Sequence, residues 1–337
     1  MFHWFNKNKE YLSCSWLEYG IYFSFNGLYH CCMFSHSHEN DFPVSLPNAN
    51  LTYNFKDFFN KKQLIRKQQR RGIINNRCLG CFSLEKKFWI PDNKIRKIAI
   101  GTNTACNSCC IYCTTPEKRK MLNKRPDIPI FEFFKKAINK DMITPECEIE
   151  FGGGEPTLMR EFEDIMNYLL DKNFKNIKIH SSGIKYSSAI ERALKSDCCE
   201  LVISPDSGNR ELYKKIKLTD KFDEVWGNIE KYNNAQNQIK TQVQVKYIII
   251  PKINDSEENI EEFFNQIIKY NVKLIRLDIE TNWFIEHNNP KDISQILNTV
   301  KFFINKARSL NIKYCNNATL DAIKNQYRDL YSSFIQD

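Results

Sequence analysis

Ile95-Arg-Lys-Ile-Ala-Ile-Gly101-Thr-Asn-Thr-Ala-Cys106-Asn-Ser-Cys-Cys110-Ile-Tyr-Cys113 is the stretch that decides how this chain is read. Its first seven residues are isoleucine-rich and closed by glycine, the pattern of a short strand. Three cysteines then follow at C-x3-C-x2-C spacing. Three thiolates can hold three irons of a [4Fe–4S] cluster and leave the fourth iron without a protein ligand. A metal with an open coordination position can bind and transform something, so the run points to chemistry. It also departs from the paired C-x2-C elements of ordinary zinc fingers. Cys109 is surplus to the spacing and reads as a spectator.

Outward from this run, strand and helix patterns alternate. Strands are expected at Ile95–Gly101, Glu148–Gly152, Asn176–His180, Glu200–Ser204, Thr241–Ile250 and Val272–Asp278. Helices are expected at Ile130–Ile138, Arg160–Leu170, Ser187–Leu194, Arg210–Ile216, Phe222–Tyr232 and Ser256–Tyr270. Such alternation calls for a parallel sheet, rolled into a partial barrel or left open. In these sheets the ligand site lies at the carboxyl ends of the strands, where the cysteine run emerges. Asp292–Leu310 and Thr319–Phe334 add helices around a short strand at Ile312–Cys315.

The first 94 residues read differently. Ile21–Phe25 and Leu28–Cys32 are short aromatic-rich strands, and Asn26-Gly27 between them is a two-residue hairpin signal. Asp41–Asn54, with Pro43 and Pro47, reads as loop, and Lys56–Arg71 as a helix ending near Gly72. Between Lys61 and Arg71 stand six cations and no acid. The plain reading is a solvated helix face; the sharper one is a docking surface for an acidic peptide, a phosphorylated substrate or RNA.

Composition sets the outer bounds. The 337 residues, 42% apolar and 13% aromatic, fit a globular chain with a sizeable core and room for two domains. No apolar stretch of membrane-spanning length is present, and the N-terminus lacks the order of a signal peptide, so a cytoplasmic protein is expected. Thirteen cysteines in such a chain argue for metal sites or core thiols rather than disulfides.

Taken in order, the motifs resemble the radical S-adenosylmethionine (radical SAM) superfamily. Cys106-Asn-Ser-Cys-Cys110-Ile-Tyr-Cys113 looks like its cluster loop, including the aromatic Tyr112. Gly153-Gly154-Glu155-Pro156 looks like the motif that grips the methionine amino group, through backbone carbonyls and the Glu155 carboxylate. Leu201-Val-Ile-Ser-Pro-Asp-Ser-Gly208 is similar to the fourth strand and its exit, where Ser204 and Asp206 would bond ribose hydroxyls or merely cap the next helix. Ser182, after the third strand, has the same standing. The resemblance implies a partial (β/α)6 TIM-like barrel over residues 95–285, a [4Fe–4S] cluster on Cys106, Cys110 and Cys113, and reductive cleavage of S-adenosylmethionine to a 5′-deoxyadenosyl radical. That radical would abstract a hydrogen from the substrate, and an electron donor such as flavodoxin or ferredoxin would serve the cluster.

Cys14, Cys31, Cys78 and Cys81 could supply four more ligands. They resemble the twitch or SPASM-like auxiliary-cluster modules, placed here before the barrel in an α+β domain over residues 1–94, with a helical extension over 286–337. An auxiliary [4Fe–4S] cluster is the expectation; a structural zinc site and unligated core thiols are the alternatives, and Cys31 is chosen over Cys32. The expected substrate is a peptide, by family analogy, with a sugar or small metabolite as the alternative. A reading from another class, a zinc-stabilised RNA-binding protein, leaves Cys106–Cys113 and Gly153–Pro156 unexplained. His180, Lys246, Asn254, Cys315 and the Cys198-Cys199 pair are weaker candidates near the barrel mouth or core.

Overall fold

The computed structural model describes residues 10–24, 27–31, 44–45, 55–75, 78–79, 81, 83–90, 92, 94–102, 105–113, 129–236 and 242–335. Asn26, Cys32 and most of the expected loop at 41–54 lie outside them.

In chain order the N-terminal elements are β1 (Tyr11–Ser13), α1 (Ser15–Tyr19), β2 (Gly20–Ser24), β3 (Gly27–Tyr29), β4 (Val44–Ser45), α2 (Phe55–Arg70) and β5 (Glu85–Lys87). The alternating part runs β6 (Ile95–Gly101), α3 (Ile130–Asn139), β7 (Ile143–Phe151), α4 (Phe162–Asp171), β8 (Ile177–Ser181), α5 (Ser188–Lys195) and β9 (Cys199–Ile203). It continues through α6 (Arg210–Lys217), α7 (Phe222–Ala235), β10 (Val243–Ile249), α8 (Glu257–Lys269) and β11 (Leu274–Ile279). The chain ends with α9 (Thr281–Glu286), α10 (Pro290–Ser309), β12 (Lys313–Asn316), α11 (Ala318–Gln326) and α12 (Arg328–Phe334).

One ten-stranded sheet has the order β12-β11-β10-β9-β8-β7-β6-β2-β3-β4 and is not closed into a barrel. Neighbours from β6 to β12 pair in parallel, as helical crossovers require. Two additions were not anticipated. β12 extends the parallel sheet beyond β11, and β2 joins β6 in parallel at the other side, with Ile21 opposite Ile98. One sheet therefore runs across both expected domain boundaries.

The strands show one apolar and one polar face. Ile149, Ile179, Leu201, Val245 and Ile275 sit in the core under the helices. Their sequence neighbours Glu148, Glu150, Lys178, Glu200, Lys246 and Arg276 point the other way, because strand side chains alternate. The face turned away from the core helices, here called the lumen, thus carries these charges.

The basic helix is amphipathic, so the solvated-face reading holds for only part of the charge run. Phe58, Lys62, Ile65, Arg66 and Gln69 are its buried stripe, at helical spacing. The Lys62 ammonium donates to the Gly20 carbonyl at 2.7 Å, and the Arg66 guanidinium meets buried Glu18 at 2.6 Å. Arg70 donates to the Tyr11 hydroxyl. Lys62 and Arg66 therefore pack α2 onto the N-terminal elements, Lys61 is partly buried, and Lys67, Arg70 and Arg71 stay exposed, Arg70 while bonding Tyr11.

Candidate functional site

The cysteine loop leaves β6 at the carboxyl end of the sheet and is pinned from three sides. Cys109 N–H donates to the Lys217 carbonyl and Ile111 N–H to the Ile216 carbonyl, both at 3.0 Å, fixing the loop to the last turn of α6. Glu155 N–H donates to the Ala105 carbonyl at 2.8 Å, joining it to the exit of β7. The Ser182 hydroxyl donates to Asn107 Oδ1 at 2.8 Å, joining it to the exit of β8. Cys106, Cys110 and Cys113 are partly buried, while Cys109 is exposed.

At the β7 exit, Gly153 adopts φ +88°, a conformation that a side chain would strain. Gly154 and Pro156 follow, and Pro156–Leu158 forms a short 3-10 turn. The Glu155 carboxylate, expected as a ligand acceptor, is engaged by the protein itself. It is buried and accepts from Thr157 N–H at 3.1 Å, the Thr157 hydroxyl at 2.8 Å, the Ser181 hydroxyl at 3.0 Å and Ser182 N–H at 2.6 Å. The 3-10 turn leaves backbone donors that need a cap, and the carboxylate supplies it. Glu155 is thus a hub tying β7 to β8.

Asp206 is likewise engaged within the protein. It sits at φ +56°, fully buried, just past β9. One carboxylate oxygen meets the Lys217 ammonium and accepts from the Tyr112 hydroxyl at 2.5 Å; the other accepts from Ile248 N–H at 2.9 Å. Tyr112 is locked by the same group: Lys217 also donates to its hydroxyl at 2.7 Å. Burial, reinforced by Asp206, pushes the Tyr112 phenol well above its usual range. Burial works against the Lys217 charge, but Asp206 and then Cys110 outweigh it and raise its pKa. A buried cation paired with Asp206 therefore stands beside a cluster-loop thiol. Asn254 is structural too, donating to the Asp206 and Ile248 carbonyls. Ser204, just past β9, is partly exposed, and His180 pairs with Glu150 at 2.8 Å.

The N-terminal thiols gather near one another. Burial and then Cys14, Cys81 and Cys31 push Cys78 up to about 11. Cys14 is raised by burial, and Cys31 and Cys81 add to it. Cys14 also caps α1, accepting from Leu17 N–H at 3.4 Å. Among the described residues no three Cys, His, Asp or Glu side chains stand in single-ion coordinating geometry. The four are neighbours rather than a closed single-ion site.

Lys217, Asn107, Ser181 and Thr157 escaped the sequence reading. Each acts through a contact set by tertiary structure, and only Thr157, one residue past Gly-Gly-Glu-Pro, carried a local signal.

With that geometry in place, residues 100–267 match the model of the Radical SAM superfamily. The chain carries a radical SAM domain. Such domains bind a [4Fe–4S] cluster and S-adenosylmethionine, and the donor set here fits: three soft thiols on one pinned, partly buried loop, with a cation behind them. GTP 3′,8-cyclase of Clostridium botulinum is 25% identical over 183 residues, 54% of this chain and 55% of that protein. The molybdenum cofactor biosynthesis protein moc-5 of Caenorhabditis elegans is 24% identical over 176 residues, 50% of this chain and 27% of that one. The chain thus spans about half the length of the C. botulinum relative. Streptococcus suis SuiB bound to precursor peptide SuiA superposes with a TM-score of 0.52 at 13% identity, over 88% of this chain and 61% of that one. At such identity the likeness shows the fold alone. No helix among the described residues is long and apolar enough to cross a membrane.

Proposed function

We propose that this chain is a radical SAM enzyme whose substrate occupies the charged lumen beside the cysteine loop. The carrying observation is the loop itself, held at the carboxyl mouth of the parallel sheet by Glu155, Ser182 and α6. Cys106, Cys110 and Cys113 would hold the cluster, and backbone groups at Gly153, Gly154 and Pro156 would receive the methionine end of S-adenosylmethionine. When bound, these two groups supply the electron and the 5′-deoxyadenosyl radical that removes a substrate hydrogen.

The chain's own residues orient and shield. Glu155 holds the β7 turn in place through β8, and the Asp206–Tyr112–Lys217 group fixes the loop's far end in a buried setting. Ser204, just past β9, remains the candidate for ribose. The peptide expectation draws support only from fold likeness, which carries no substrate. The sequence relatives named as GTP 3′,8-cyclases favour a small metabolite. Cys14, Cys31, Cys78 and Cys81 are proposed to hold an auxiliary cluster, supported by their proximity.

Anaerobically reconstituted protein with dithionite and S-adenosylmethionine should form 5′-deoxyadenosine, and the Cys106/Cys110/Cys113→Ala variant should not. About four irons per chain indicate one cluster and about eight indicate two. Absence of 5′-deoxyadenosine from fully loaded protein, with lumen-sized metabolites supplied, sinks the enzyme reading.

A further inference from the structure

The parallel register draws one polar row across the sheet at the height of the cysteine loop. Ser181 lies opposite Ile203, so Ser182 and Ser204 follow side by side. Val245 also lies opposite Ile203, which sets Lys246 next to Ser204. Lys246 is opposite Arg276, and Arg276 is opposite Cys315. Flanking Val245, Tyr247, Ile275 and Leu277 are fully buried beneath the helices, so Lys246 and Arg276 stand on the lumen face.

The row holds two cations and no carboxylate. Acids close to it are already engaged. Asp206 is held by Lys217, Tyr112 and Ile248 N–H. Asp278 accepts from Thr319, Leu320 and Ile279 N–H and from the Asn317 amide at 2.6 Å. Glu150 pairs with His180. Arg276 leans on Gln244 and Asn317, with Glu200 3.9 Å away. Lys246 is partly buried and makes no hydrogen bond or ion pair among the described residues. Burial lowers its pKa, Asp206 and Asp278 oppose that shift, and Lys217 and Arg276 add to it. A partly buried cation that no carboxylate touches, set beside a second cation, gains when an anion arrives.

We propose that Lys246 and Arg276, with the Ser204 hydroxyl beside them, bind an oxyanion group of the substrate, a phosphate or a carboxylate. The substrate class is then an anionic small molecule. At about 4.8 Å per strand, its charged end lies roughly 10–14 Å along the sheet from Ser182, which touches the cysteine loop. This deepens the radical SAM reading and rests on it for the word substrate.

The test is calorimetric titration of inorganic pyrophosphate, with acetate in a parallel arm, into the reconstituted full chain. Wild-type protein should bind, Lys246→Met and Arg276→Met should bind at least about tenfold more weakly, and Lys246→Arg should recover most of the affinity. Lys269→Met, on the outer face of α8, should match wild type. Should Lys246→Met fail to fold, Lys246→Gln and Arg276→Met carry the same comparison. Preference for pyrophosphate assigns a phosphate ester, and preference for acetate a carboxylate. Equal binding by wild type and the lumen variants, equal loss in Lys269→Met, or no binding of either anion overturns the proposal. So does abolition of binding by S-adenosylmethionine alone, which gives the cations to the cosubstrate. Binding that depends on Lys246 in a protein forming no 5′-deoxyadenosine keeps the anion site and overturns only the radical reading.

Discussion

The Ser182 hydroxyl donates to Asn107 Oδ1 at 2.8 Å, tying the end of β8 to the middle of the cysteine loop. The same hydroxyl accepts from Ile184 N–H at 3.4 Å, so its direction is held from both sides. Asn107 lies between the first two cysteines of the motif, and its side chain steers the loop without supplying a ligand. Ser182→Ala removes one partly buried hydrogen bond, worth about 1 kcal/mol. S-adenosylmethionine binding, measured by equilibrium dialysis, should weaken about fivefold with iron content unchanged. Affinity equal to wild type would show that the hydroxyl does not position the loop.

Asp206 and Lys217 form a buried pair in which each charge depends on the other. Lys217→Met leaves a carboxylate at zero exposure with only Tyr112 and Ile248 N–H as partners. Breaking such a pair costs about 3–5 kcal/mol, whereas removing both charges costs far less. In urea denaturation the Asp206→Asn/Lys217→Met double variant should therefore be markedly more stable than the summed single effects. Additive losses would mean that the two charges are not coupled.

How much of this was legible follows from the range of each contact. The bounds of β6, Ile95–Gly101, come straight from the sequence, since a short run closed by glycine is a local signal. β7 begins five residues earlier than expected, at Ile143, because Pro145 reads as a break. In the sheet, the pairing steps from Ile95–Ile143 to Lys97–Glu148, and Pro145 falls in that irregularity, where no ladder donor is required. The expected single helix over 319–334 divides at Tyr327, whose φ of −119° departs from helical values. Site motifs were visible as cysteine spacing and Gly-Gly-Glu-Pro. The roles of Glu155 and Asp206 were not, because whether a carboxylate faces a ligand or the protein depends on partners such as Ser181 and Lys217, which no local pattern announces.

Gly208, at the exit of β9, presses against the backbone of α8. A Cβ there would lie 2.1 Å from the Glu262 carbonyl oxygen and 2.3 Å from Phe263 N. Backbone cannot swing aside as a side chain would, so Gly208→Ala must push α8 off the sheet. The expected loss is about 3 kcal/mol or more, at the upper end of overpacking effects. A thermal midpoint within a degree of wild type would contradict this close approach.

Lys62 gives the fold a pH signature. Burial, and then Arg66, push its ammonium down to about 7, against Glu18, which acts the other way. The unfolded chain keeps the proton up to its ordinary value near 10.5, so between those limits the unfolded state binds more protons than the folded one. Stability contributed by this group therefore rises with pH through the window, by at most about 1.4 kcal/mol per unit, and its full penalty is present below about 7. Lys62→Met should flatten that limb. The difference between wild-type and variant urea midpoints from pH 7 to 10 separates this group from the thiols and phenols titrating nearby.

Glu155 offers the sharpest separation between a ligand group and a structural one. Its carboxylate is surrounded by donors: Thr157 N–H and hydroxyl, the Ser181 hydroxyl and Ser182 N–H. Glu155→Gln keeps the shape but turns an NH2 group toward those donors, leaving at least one buried polar group without a partner. That costs about 1–3 kcal/mol. A carboxylate serving mainly a ligand ammonium would lose affinity for S-adenosylmethionine on this change and leave stability alone. The hub arrangement predicts the reverse order: Glu155→Gln should lower the urea midpoint of the apoprotein before any cofactor is added. Thr157→Val, which removes one of the same donors, should partly compensate in the double variant, because fewer donors then compete for the remaining oxygen. An apoprotein as stable as wild type would return Glu155 to the ligand.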